Sequence, residues 1–278
     1  LPYLYETAPS WIEGHYDKLF GPGEGNPCQQ IVLTTVLALY RPSAAIYKLL
    51  SPAMIAALDY GADRLELGSR VLKKDGLSLI GHWAYFGYAA GFVSLEDPIL
   101  KKWWAVADGG QLGRALGELC GSLDSSNTGV PQGIVARIGE LWDLHNECFA
   151  GPEKSGSLRG AVRLAKSGCY EVSWWGPRLL RELKVNTREV PVVALRDELR
   201  ALSSYDPELA VEVLWRIAEK DAHPIGSFYR DIGIELLQAD VRNNGGALSE
   251  VGSRCMDALG ALGCLDLDES VFQKPADN

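Results

Sequence analysis

The residue types best suited to chemistry are scattered along the chain, and only one basic segment gathers them. Asp143, His145 and Glu147 are close in sequence. On a helix Asp143 and Glu147, four residues apart, share a face and His145 points elsewhere. The trio therefore reads as a solvated acidic face rather than an acid–base pair. The four histidines, His15, His82, His145 and His223, are 63 or more residues apart, and no His-Glu-x-x-His or Cys/His cluster occurs. Gly21-Pro22-Gly23-Glu24-Gly25 lacks the lysine and the preceding strand of a phosphate-binding loop, so it reads as a loop before a cap at Asn26. No Gly-x-Ser-x-Gly elbow is present, and Cys148 follows Glu147 rather than a base that would activate its thiol. No catalytic residue, metal ligand or cofactor is expected.

The basic segment is different. Arg159, Arg163 and Lys166 are spaced four and three apart, and Arg178, Arg181 and Lys184 repeat that kind of spacing, with Trp174-Trp175 between the two sets. Arginine matches phosphate or carboxylate with its planar fork, and an aromatic ring supplies stacking. Arg159, Arg163, Lys166, Trp175, Arg178 and Arg181 are thus the expected contact surface. A solvated helix face with its tryptophans in the core is the competing account. Trp103-Trp104 after Lys101-Lys102 has a similar look, but Ile99 and Leu100 extend its apolar face and favour the core.

Prolines punctuate the elements that must carry these residues. Asn26-Pro27, Ser51-Pro52, Asp97-Pro98 and Asp206-Pro207 each place a capping side chain before a proline at the first helical position. Ser10 and Glu13 form a capping box, Pro131 and Pro191 stand at further helix starts, and Pro42, Pro152, Pro177 and Pro224 stop helices or shape loops. Helices are expected near 11–20, 27–40, 52–72, 77–91, 98–107, 111–123, 131–149, 157–167 and 175–184. Three later stripes follow at helical spacing: Leu209, Val213, Leu214, Ile217 and Ala218; Ile225, Phe228, Ile232, Leu236 and Leu237; and Leu248, Val251, Cys255, Leu259 and Leu262. Gly81, Gly87 and Gly91 each cost a helix about 1 kcal/mol against alanine, which predicts close helix approach there. Ile31–Val36 could pass for a buried strand, but no alternating partner follows. The fold class is all-α: about a dozen helices in a degenerate HEAT- or TPR-like solenoid, with a globular bundle as the alternative.

With 278 residues, 47% hydrophobic and 23% charged, the chain can bury a large core and is not disordered. Its longest uncharged apolar run, Ile31 to Tyr40, is about half of the ~20 residues that span a bilayer, so no membrane segment is expected. The net charge of −9 argues against a surface that grips nucleic acid everywhere. Residues 1–152 hold 11 basic and 16 acidic groups, 153–188 hold 8 and 3, and 189–278 hold 8 and 17. The six cysteines lack a Cys-x-x-Cys pair and read as reduced, buried residues of a cytoplasmic protein. Two arrays are expected, 1–150 and 151–278, continuous with each other across a possible hinge at Gly151–Gly156. A start at Leu1 suggests a piece of a longer polypeptide.

The order Pro131…Ile138-Gly139-Glu140-Leu141-Trp142, Leu158-Arg159-Gly160…Ser167-Gly168…Trp174, Asp206-Pro207-Glu208-Leu209-Ala210 and Ala258-Leu259-Gly260-Ala261-Leu262-Gly263 resembles the C-terminal TPR/HEAT-like helical repeat regions of large bacterial anti-phage defence proteins. Leu4-Tyr5…Ala8-Pro9-Ser10-Trp11 extends the likeness over nearly the whole chain. In those proteins an NTPase or sirtuin-type effector precedes the array. The resemblance implies sensing or assembly by this piece, without enzymatic activity of its own, toward other domains of the parent protein or a phage component. The alternative function is nucleic-acid binding through the basic segment 154–188.

Overall fold

Helix starts are fixed where a short polar side chain can reach backward-facing amides. Asp97 Oδ1 accepts from the Ile99 and Leu100 amides at 2.9 and 3.3 Å, and Asp206 Oδ1 accepts from the Leu209 amide at 3.0 Å. Proline follows each of them and leaves no amide unpaired. The computed structural model describes residues 9–20, 27–59, 76–121, 131–148, 157–185, 195–220, 226–264 and 267–272. Among the described residues there are fifteen helices and no strand, so the described fold is all-helical.

In chain order they are α1 (Pro9–Gly14), α2 (Tyr16–Phe20), α3 (Pro27–Leu39), α4 (Ala44–Asp59), α5 (Gly76–Ala90), α6 (Pro98–Val106), α7 (Gly109–Gly121), α8 (Gln132–Cys148), α9 (Ser157–Lys166), α10 (Val172–Val185), α11 (Arg196–Tyr205), α12 (Pro207–Ala218), α13 (Gly226–Asn243), α14 (Glu250–Ala261) and α15 (Leu267–Phe272). None is long and apolar enough to cross a membrane. They form two compact units, Leu1–Gly160 and Ala161–Asn278. The division falls within α9, past the expected 150/151, and the Gly151–Gly156 segment lies outside the described residues.

In the first unit α5 is hydrophobic nearly all round and is buried accordingly. It packs on α3, α4, α6, α7 and α8. Trp83, fully buried, donates from Nε1 to the Leu37 carbonyl at 2.8 Å, which ties α5 to α3. Gly81 makes room for the Trp103 ring of α6: a Cβ there would sit 2.0 Å from that ring. Gly91 has a different role, since its φ of +89° ends α5 and lets the Phe92 and Val93 amides return to the Gly87 carbonyl.

In the second unit α12 holds the equivalent place, packed on α10, α11, α13 and α14. Ala210, Val211, Val213, Leu214, Ile217 and Ala218 are its buried residues, close to the expected stripe. The turn after α13 is clasped by Asp240, which is fully buried and accepts from the Ser249 amide at 2.8 Å and Asn244 Nδ2 at 3.0 Å.

Three boundaries differ from expectation. Pro52 lies inside α4, where Ser51 Oγ donates to the Tyr47 carbonyl at 2.7 Å instead of capping a helix start. Pro177 lies inside α10 rather than between helices. Both prolines are exposed, and so are Lys48 and Ser173, whose carbonyls lose their amide partners on the solvent side. Ser10 is already within α1, so it does not cap that helix.

Candidate functional site

The site grows from the turn between α9 and α10. Leu158, Ala161, Leu164 and Ala165 bury one side of α9, which leaves Arg159 and Lys166 exposed and Arg163 half-buried. Arg159 belongs to the first unit, Arg163 and Lys166 to the second. Ser167 ends α9 by donating to the Leu164 carbonyl at 2.7 Å and accepting the Cys169 amide at 3.2 Å, with Gly168 at φ +66°. The chain then presents Tyr170 just before α10.

Leu179, Leu180 and Leu183 bury the inner face of α10. Trp175 belongs to that face, at 4% exposure, so it packs in the core and is not available to a partner. Beside it Gly176 admits Leu202 and Leu209, which would lie 2.7 and 3.3 Å from a Cβ. Trp174 takes the outer position. Its ring stacks on Tyr170 with centroids 4.2 Å apart and planes 18° apart, and the Arg178 guanidinium lies 4.1 Å from its centroid. Arg178 Nη1 also donates to the Trp174 carbonyl at 2.8 Å. Two flat groups cannot share one ring face at these distances, so Tyr170 and Arg178 cover opposite faces of Trp174. Arg181 is exposed further along the helix, and Lys184 pairs with Glu212 of α12 at 2.7 Å.

The second unit thus brings Arg178 to an aromatic partner and exposes Arg181 and Lys166, and α10 packs chiefly on α11 and α12. Tyr170 was absent from the expected surface, although Tyr170, Trp174 and Arg178 follow one another at four-residue spacing in the sequence. A second cluster has no such local signal. Arg216 and Arg254 lie 3.9 and 5.6 Å from the Trp215 ring, joining α12 to α14, and pair with Glu219 and Glu250. Burial first, and then Arg216, pull the neighbouring Lys220 ammonium below the usual lysine range.

Elsewhere, titratable groups serve packing. Tyr88 donates to Glu140 Oε2 at 2.5 Å, and Arg137 Nη1 donates to the Tyr88 carbonyl at 3.1 Å, fastening the end of α5 to α8. Burial, with help from Glu140, pushes the Tyr88 phenol up to about 12. Tyr47 donates to Asp97, the cap of α6, at 3.0 Å. His145 is buried while Glu147 is exposed, so the Asp143–His145–Glu147 trio does not converge. Among the described residues no three His, Cys, Asp or Glu side chains could hold a metal ion. Among the described residues, Cys120, Cys169, Cys255 and Cys264 are in the thiol form. Burial, and to a lesser degree Asp240, pushes the Cys255 thiol up, which keeps it protonated and unreactive.

No family model, curated protein or solved structure matches this chain.

Proposed function

We propose that this chain is a non-catalytic recognition domain that grips another protein through the outer face of α10. One observation carries this: the Tyr170–Trp174–Arg178 stack, half-exposed and already ordered by its own contacts. Tyrosine, tryptophan and arginine are the residues that dominate binding energy at protein interfaces. Holding them in place beforehand removes about 0.5–1.5 kcal/mol of ordering cost per side chain. The helices pair mostly with near neighbours in chain order, which supports a degenerate helical-pair array of HEAT or TPR kind. The resemblance to defence-protein repeat regions points to a bacterial cytoplasmic setting with the effector chemistry elsewhere in a parent protein.

Nucleic-acid binding is the second reading, favoured by the exposed Arg159 and Lys166 on α9. It is weakened by Trp174, whose two faces are already taken and offer no room for a base.

The test is affinity capture from source cells, with bound proteins identified for the native chain and for Trp174→Ala, Arg178→Glu and Arg159→Glu/Arg163→Glu. A hot-spot role predicts at least about a thirtyfold loss of partner affinity for Trp174→Ala. Partner binding untouched by all three variants would falsify the proposal.

A further inference from the structure

The second unit carries two surfaces of opposite character. On α10, the stripe Trp174, Arg178, Arg181 and Val185 faces outward, with Val185 36% exposed. On α15, Leu267 and Val271 are buried and Gln238 Nε2 donates to the Ser270 carbonyl at 2.9 Å, so the helix is seated on α13. That seating leaves Asp268, Glu269 and Phe272 outside, with Phe272 51% exposed. Packing runs from α10 to α12, from α12 to α13, and from α13 to α15, so the two surfaces stand at opposite ends of the packing order.

From these we infer that a second copy of the chain is a partner of the α10 surface, docking its α15 there so that copies associate head to tail. The inference rests on the recognition reading of α10 given above.

Charge complementarity supports it first. Within the second unit, residues 161–185 hold five basic and two acidic groups, and 189–278 hold eight and seventeen. Within the acidic part, Arg196, Arg200, Arg216 and Arg254 are already paired with carboxylates of their own unit. Asp268 and Glu269 carry no ion pair among the described residues. Spacing supports it second. Asp268 and Phe272 are four residues apart, as are Arg178 and Trp174, so each pair spans about 6 Å along its helix. Laid antiparallel, the Phe272 ring meets the exposed edge of the Tyr170–Trp174 stack while the two carboxylates meet Arg178 and Arg181. Because the joined surfaces differ, the contact leaves a free surface at each end and propagates as a chain or closes as a ring.

Sedimentation velocity of the whole chain over a wide concentration range tests this. The average mass should climb with concentration beyond a dimer at about 50 mM NaCl and fall back at about 500 mM, where charges are screened within a few ångströms. Arg181→Glu and Asp268→Arg, Asp268 being the carboxylate that the antiparallel register places nearer Arg181, should each be monomeric alone when checked for native helicity. Mixing them should restore assembly, since each reversed charge then meets its complement. Phe272→Ala should also weaken assembly. The inference is overturned by a wild type that stays monomeric, by a mass that stops at a closed dimer, by assembly that survives both charge reversals, or by variants that fail to rescue each other. A monomeric chain whose other partner is still lost on Trp174→Ala would sink self-association and leave the recognition reading standing. Partner binding unaffected by Trp174→Ala, with salt-sensitive assembly intact, would do the reverse.

Discussion

Gly81 shows how two opposing terms at one residue can be weighed. Alanine is favoured over glycine in a helix by about 1 kcal/mol, so propensity alone predicts that Gly81→Ala stabilises α5. The added methyl would lie 2.0 Å from the Trp103 ring, and Trp103 is fully buried. Its ring is also held edge-on against Tyr85, with centroids 5.1 Å apart, so it has little freedom to move. Overpacking of this kind costs about 1–3 kcal/mol. The clash wins, and Gly81→Ala should lower the urea midpoint; a raised midpoint would show that Trp103 can shift. The Tyr88 phenol gives a pH signature. Its folded-state value of about 12 lies above the unfolded value of about 10. The stabilisation is therefore complete below about pH 10 and is lost as pH rises toward about 12. Tyr88→Phe should flatten the alkaline part of the stability profile relative to wild type, whereas parallel profiles would show that Tyr88 does not titrate in this window.

At the level of whole helices, Pro177 separates what a local pattern can foretell from what it cannot. An interior proline costs an isolated helix about 3 kcal/mol, which is why a break was expected there. In α10 the proline is exposed and the freed Ser173 carbonyl is on the solvent side, while Trp175, Leu179 and Leu183 bury the opposite face. That burial outweighs the missing hydrogen bond. Pro177→Ala should restore the bond to Ser173, partly offset by about 0.4–1 kcal/mol of extra unfolded-state freedom. A rise of a few degrees in melting temperature is expected, and a fall would mean that the proline rigidifies α10 usefully. The caps at Asp97 and Asp206 were legible because each involves amides only two or three residues away. The four-residue spacing of Trp174 and Arg178 is equally local, although Trp175 was the tryptophan expected on the contact surface. Which of Trp174 and Trp175 faces inward depends on where α11 and α12 lie, and Leu202 and Leu209 against Gly176 decide it. No local pattern contains that information. The same holds for Arg254 over Trp215, joined only by the packing of α12 on α14.

On the scale of the molecule, a net charge of −9 and a sequence pI near 5.0 do not by themselves forbid contact with nucleic acid. Charges more than about 8 Å away are largely screened at physiological salt, so a local strip acts almost alone. In the second unit that strip is short: Arg163 and Lys166 on α9, then Arg178 and Arg181 on α10. Lys184 is paired to Glu212, and an oligonucleotide crossing this strip among the described residues is taken to meet about two or three of its four cations at successive phosphates. Binding of a single-stranded oligonucleotide by so few contacts should weaken about tenfold between about 50 and about 200 mM salt. Arg163→Glu/Lys166→Glu should abolish whatever binding fluorescence anisotropy detects. Trp174→Ala should leave it unchanged, because a ring sandwiched between Tyr170 and Arg178 presents only its edge. An aromatic platform that did stack on bases would contribute about 1–3 kcal/mol per base, so its loss would weaken binding at least about fivefold. A fivefold loss on Trp174→Ala would therefore mean that the stack opens to admit a base, and the preference for a protein partner would be reversed.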